Sequence, residues 1–175
     1  YWERNSLNES VISEKLDYWE NKFEGFSNGL LLPLDFEREE TTVKKGGTIE
    51  HVFSLDFSEK LRQFSEKQDV SLFITMLAAF KIVLHKFSNQ TDISVGTAVA
   101  NRRYKEFQEV LGMIVNTIAL RTTFSNENSL AEVLNEVKET CLDAYSYDDT
   151  PFGKVVERIN PERSLNLHPL FQYMF

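Results

Sequence analysis

The chain of 175 residues holds a single cysteine, Cys141, so no disulfide can form within it. It has no H-E-x-x-H or C-x-x-C spacing, and its three histidines, His51, His85 and His168, are widely separated, which leaves no metal motif. Nothing pairs these histidines with a carboxylate or the thiol at catalytic spacing, and each reads as a surface or structural residue. Gly46-Gly47 lacks the G-x-x-x-x-G-K frame of a phosphate loop. Positive charge is scarce as well, with 19 Lys and Arg against 27 Asp and Glu for a net charge of −8. Such a surface repels phosphate backbones, which argues against nucleic acid and anionic membrane as partners. The longest apolar stretch, Leu72 to Leu84, is broken by Thr75 and Lys81 and stops short of the ~20 residues a membrane span needs. No basic start leads into an apolar signal region, and a soluble cytoplasmic protein is expected.

What the chain has in quantity is phenylalanine, fourteen of them, which indicates a thick core or a large buried interface. Its length suits one domain, or half of a larger one, with about two-thirds of the unfolded surface buried on folding. Ile12, Leu16, Trp19 and Phe23 recur at helical spacing and predict a first helix from about Ser10 to Phe26, ended by Gly25, Asn28 and Gly29. Leu30 to Gly47 has no period and reads as a long connector. Thr48 to Leu55 alternates imperfectly and predicts a strand, followed by a short helix opened by Ser58.

Asp69 or Ser71 then caps a helix with a broad apolar face from Leu72 to Phe87, the buried central helix. Asp92 to Ala100 and Thr117 to Phe124 alternate as strands do. Ser129 with Glu132 makes a capping box for a helix ending near Tyr145, which places Cys141 on its apolar face as an inert core thiol. Pro151 precedes a short helix from Phe152 to Ile159, and Phe171 to Phe175 closes the chain as a strand. Strands mixed with helices predict an α/β sandwich in which helices cover a sheet.

Three segments stand out beyond these periods. In the first, Ala100 to Thr122, Gly112 and Asn116 interrupt an apolar run in which a buried strand has no reason to hold an amide. Its plain reading is a strand entry where Gly112 allows a tight turn and Asn116 caps a loop. The second is Tyr147-Asp148-Asp149-Thr150-Pro151-Phe152, where Asp149 or Thr150 would cap the helix begun by Pro151. The third runs from Arg163 to Pro169-Leu170-Phe171-Gln172.

Together, and in this order, these segments resemble the condensation domains of nonribosomal peptide synthetases. That family has G-x-[FI]-V-N-T followed by Arg, matched by Gly112 to Thr117 and Arg121, then D-x-P-F, matched by Asp149, Pro151 and Phe152, then R-(x)n-P-L-F-Q. Tyr147, Asp148 and Gly153 stand where the family usually has His, Gln and Glu, and Ser164, Asn166, Leu167 and His168 where it more often has Asp, Ser, Arg and Asn.

The resemblance implies a mixed sheet in the chloramphenicol-acetyltransferase-like sandwich, one copy of the two that form a V. This chain would be the second, C-terminal copy over residues 1–175, with Tyr1 and Trp2 as the tail of the motif before it. It implies Asn116, Gly112, Thr117 and Arg121 at the substrate tunnel, with Asn116 a polar group in its wall, and Asp149, Pro151, Phe152 and Arg163 as structural motif positions. It implies no cofactor bound directly, since phosphopantetheine arrives on carrier proteins, and as partners the N-terminal half, the carrier proteins and an adenylation domain. The H-H-x-x-x-D-G motif, whose second histidine serves the reaction in the family, is absent from these residues, so the chain alone should form no peptide bond. A non-catalytic carrier-binding module and part of an epimerisation domain are the alternatives.

Overall fold

A computed structural model describes residues 9–27, 29–35, 46–102, 105–161 and 167–175. The expectations for Tyr1, Trp2, Arg163, Ser164 and Asn166 lie outside the described residues.

Helix α1, Glu9–Lys22, stops short of the expected Phe26, and Gly25 follows with a φ of +67° that turns the chain. No strand forms over Thr48 to Leu55: residues 46–54 have no regular structure, and Ile49 and Val52 are almost fully exposed. Alternation marks one face of a strand, but a strand also needs a neighbour for its N–H and C=O groups. Among the described residues this segment has none. Ser54 instead accepts the Phe57 N–H and starts α2, Leu55–Lys67, earlier than the Ser58 opening anticipated.

Ser71 rather than Asp69 caps α3, Leu72–Ser88, by accepting the Ile74 N–H. Strand β1, Asp92–Val99, is followed by the four-residue α4, Lys105–Gln108, and by strand β2, Asn116–Thr123. The Ser129–Glu132 capping box opens α5, Leu130–Ser146. Helix α6 occupies Phe152–Ile159, and its cap is unusual, as described below. Among the described residues no single helix is long and apolar enough to cross a membrane.

β1 and β2 pair antiparallel, with Ser94 opposite Arg121, Gly96 opposite Ala119 and Val99 opposite Asn116. The end of the chain joins the other edge of β1: the Gly96 N–H donates to Tyr173 O, and the Phe175 N–H donates to Gly96 O, both at 2.9 Å. This makes one parallel bridge, Gly96 to Met174, where a strand over Phe171 to Phe175 was expected. Helices cover both faces of the resulting mixed sheet. On one face Lys81 of α3 reaches Leu120 O and Thr122, and Thr140 of α5 meets the same threonine. On the other, Arg121 reaches back to the carbonyls that end α1. The core is drawn from both sides of the sheet and includes Trp19, Leu77, Val95, Leu120 and Val137, with Cys141 fully buried as anticipated.

Gly96 is where this arrangement has no slack. A Cβ there would stand 2.4 Å to 2.7 Å from three carbons of the Phe171 ring, well inside contact distance. Gly96→Ala must therefore displace that ring and is expected to lower stability by about 1–3 kcal/mol, measured as a shift in urea midpoint at constant slope. A smaller side chain at Phe171 should recover part of the loss in a double-mutant cycle.

Candidate functional site

The motif segments singled out in the sequence converge at the start of β2. Asn116 is half-buried there, at the entry where a strand's first side chain can turn toward the adjoining loop. Its amide nitrogen donates to Asp148 O and to Thr150 O, each at 2.7 Å. Its oxygen accepts the Phe152 N–H at 3.2 Å. The three bonds fasten the turn between α5 and α6 to the sheet.

They also correct the expected capping. Pro151 occupies the N-cap position of α6 with no side-chain cap bond, because its ring offers no acceptor. Asn116, 36 residues earlier, supplies the oxygen that a capping Asp or Ser supplies locally. Asp149 does something else: both its oxygens lie 2.6 Å from Lys15 Nζ of α1, in a pair whose side chains are only 20% and 17% exposed. Arg158 of α6 adds exposed ion pairs to Asp17 and Glu20 of α1, so one stretch of α1 is tied both to the turn before α6 and to the last turn of α6. Tyr147, in the place of the family's histidine, stacks on Tyr18 with ring centroids 4.0 Å apart. Burial, with Asp143 and Tyr147 nearby, raises the Tyr18 pKa well above the usual range for a phenol.

Phe152 carries the junction to the third segment, packing on Phe171 at 5.6 Å and stacking on His168 at 5.7 Å. Gln172 then accepts the Leu30 N–H at 2.7 Å through its side-chain oxygen, which anchors the start of the connector.

Arg121 lies elsewhere on β2. Its Nε and Nη2 grip Asp92 of β1 at 2.9 Å and 2.8 Å, while Nη1 donates to Lys22 O and Glu24 O at 2.8 Å and 2.9 Å. A cation on the carbonyls that end α1 also suits the helix dipole. The guanidinium lies 5.2 Å and 6.0 Å from the ring centroids of Phe26 and Phe23. Thr117, opposite Ala98 in the ladder, is partly exposed.

Gly112 has a φ of +152° with open space where a Cβ would stand, so backbone conformation rather than crowding calls for glycine there. Its carbonyl is one of three gathered by Arg102, which donates to Phe107 O, to Val110 O at 2.9 Å and to Gly112 O at 3.3 Å. The loop so tied presents Leu111 and Met113 to solvent, 99% and 95% exposed. Arg102, Lys15 and Gly96 are not singled out by sequence reasoning, because their roles depend on contacts made by the fold. Arginine ahead of a glycine-interrupted run was the one available signal.

Of the two adjacent carboxylates at the junction, Asp148 and Asp149, the second is neutralised by Lys15. The junction's chemistry is to hold backbone in place. Among the described residues no group of three His, Cys, Asp or Glu could hold a metal ion. A groove of about 640 Å³ at the end of α1, lined by Phe23, Gly25, Phe26, Ile159 and Pro161 among others, shares no lining residue with the junction.

Comparison with known proteins follows the same lines. A family model described as the condensation domain matches residues 1–175. Tyrocidine synthase 3 of Brevibacillus parabrevis is 36% identical over 99% of this chain, and bacitracin synthase 3 of Bacillus licheniformis is 32% identical over 99%. The chain spans only 3% of the length of each. Among solved structures, holo-AB3403, a four-domain nonribosomal peptide synthetase bound to AMP and glycine, superposes with a TM-score of 0.91 at 27% identity, over 98% of this chain and 13% of that one. The X-domain from teicoplanin biosynthesis gives 0.89 at 23% identity over 99% of this chain and 40% of its own, a likeness of fold alone.

Proposed function

The chain belongs to the condensation domain family, and from that premise we propose that it is the C-terminal half of a peptide-bond-forming domain, walling one side of the tunnel where two carrier-bound substrates meet. In this reading the α-amine of an acceptor aminoacyl thioester attacks the carbonyl carbon of a donor acyl or peptidyl thioester. The C–N bond forms, the C–S bond breaks, the amine gives up a proton, and the donor's phosphopantetheine arm leaves as a thiol. The histidines implied for this step are not among the 175 residues, so the other half of the domain supplies them. This half contributes proximity, keeping two tethered reactants at attack distance. Carrier proteins, an adenylation domain and the N-terminal half are its partners, in the cytoplasm.

The observation that carries the tunnel-wall role is the exposure of Leu111, Met113 and Val115 on a backbone fixed by Arg102 at one end and by Asn116 at the other. Apolar side chains held out on a tied loop form a surface suited to being covered. Asn116 serves this wall from behind, since both its donor hydrogens are engaged by backbone. In the complete domain with both carriers loaded, Met113→Asp is expected to slow single-turnover amide formation at least about tenfold without moving the thermal midpoint. Unchanged turnover would remove the loop from the tunnel. The second reading, a non-catalytic carrier-binding module, has in its favour that Tyr147, at the family's histidine position, is engaged in stacking on Tyr18. Carrier binding without turnover in that same assay would select it.

A further inference from the structure

We infer that Lys81 sits in the folded domain as an uncharged amine, so that packing α3 and α5 onto β2 is coupled to the release of one proton. The side chain is fully buried. Its Nζ donates to Leu120 O at 2.8 Å and to Thr122 Oγ1 at 2.6 Å, and these are its bonding partners among the described residues. A neutral amine has two N–H groups and an ammonium three. The site therefore satisfies the neutral form and leaves one donor of the charged form unpaired, together with its charge.

The neighbouring hydroxyls agree with that count. Thr140 Oγ1 donates to Arg121 O at 3.3 Å, and Thr122 Oγ1 lies 3.0 Å from Thr140 Oγ1. With the Thr140 proton on the Arg121 carbonyl, Thr122 must donate to Thr140, and its remaining lone pairs face Lys81. Every proton in the chain of bonds has one place.

Among the described residues no counter-ion is in contact. From β1, Asp92 faces the site, but Arg121 grips both its oxygens. From α5, burial pushes the Cys141 thiol up to about 11, so at neutral pH it offers no negative charge. Lys22, at the end of α1, opposes the charged form. On α3 itself, His85 is one turn further on, its imidazole turned to Gln90 O and Asn126 Oδ1. Desolvation dominates and brings Lys81 from 10.5 down to about 7.

The direction of the pH effect follows. Between about 7 and 10.5 the unfolded chain holds this proton and the folded chain does not, so stability rises with pH across that window. Below about 7 both states carry it, and the cost of the buried charge is present in full. A modest fall in pH then charges the seam where α3 and α5 meet β2, and loosens it.

A titration of lysine side chains labelled with ¹³C at Cε tests this directly. The Lys81 resonance is expected to titrate near 7, against about 10.5 for exposed lysines. In parallel, Lys81→Met, close in length and without charge, should flatten the rise of the urea midpoint between pH 7 and 10. Titration together with the exposed lysines, or an unchanged pH dependence in the variant, would overturn the inference. The wild-type titration decides the matter even where the variant fails to fold.

Discussion

Asn116→Ala is expected to lower stability by about 3 kcal/mol, on the scale of 1–3 kcal/mol for each buried polar group left without a partner. Three backbone groups lose their bond at once: Asp148 O, Thr150 O and the Phe152 N–H. Solvent can rescue part of this because the site is only half-buried, which keeps the figure well below three full penalties. An amide that merely faced a substrate could be deleted with little cost to the fold, and this one cannot. Asn116→Asp separates the two halves of the clasp, since a carboxylate still accepts from Phe152 N–H but repels the two carbonyls. Hydrogen exchange at Phe152 should therefore stay slow in Asn116→Asp and become fast in Asn116→Ala. Equal protection in both variants would break the assignment of Asn116 as the distant cap of α6.

Arg121→Met should be costlier still, about 3–5 kcal/mol, the range for breaking a buried ion pair by removing one partner. Asp92 would be left with a largely buried charge, and Lys22 O and Glu24 O would lose their donor. Arg121→Lys is not a mild change here, because an ammonium cannot span the carboxylate and two carbonyls with one planar fork. Adding Asp92→Asn to Arg121→Met should restore a large part of the loss. Additive losses in that denaturation cycle would show that the helix-end carbonyls, rather than the carboxylate, are what Arg121 serves.

Much of this architecture was legible in the sequence wherever the signal is local. The Ser129 to Glu132 box, the Phe152 to Ile159 helix and the two central strands came from spacing that reports which face of an element is covered. What covers it is another matter. Thr48 to Leu55 alternates as a strand does, yet pairing is a property of a neighbour that the pattern does not name. Lys81 reads as a polar break in an apolar run, while the structure places it at 0% exposure, because β2 brings a carbonyl and a hydroxyl to its tip. Asp149 and Lys15 lie 134 residues apart, and Asn116 caps a helix begun 36 residues later. The resemblance to a family singled out these motif positions; only the fold showed that two of them form one clasp.

The hollow over Gly96 bears on the order in which the molecule is made. Thr97 donates to Phe175 O across 78 residues, and the Phe171 ring rests where a Cβ would be. During synthesis β1 and β2 can pair long before residues 167–175 emerge, so the outer edge of β1 waits uncovered, an invitation to strands of other nascent chains. Pairing at such sequence separation is also slow, since the loop must close before any contact rewards it. The glycine that admits the ring thus marks a late step in building this sheet, and until that step the edge is exposed to aggregation, a hazard that belongs to the growing chain and not to the finished fold.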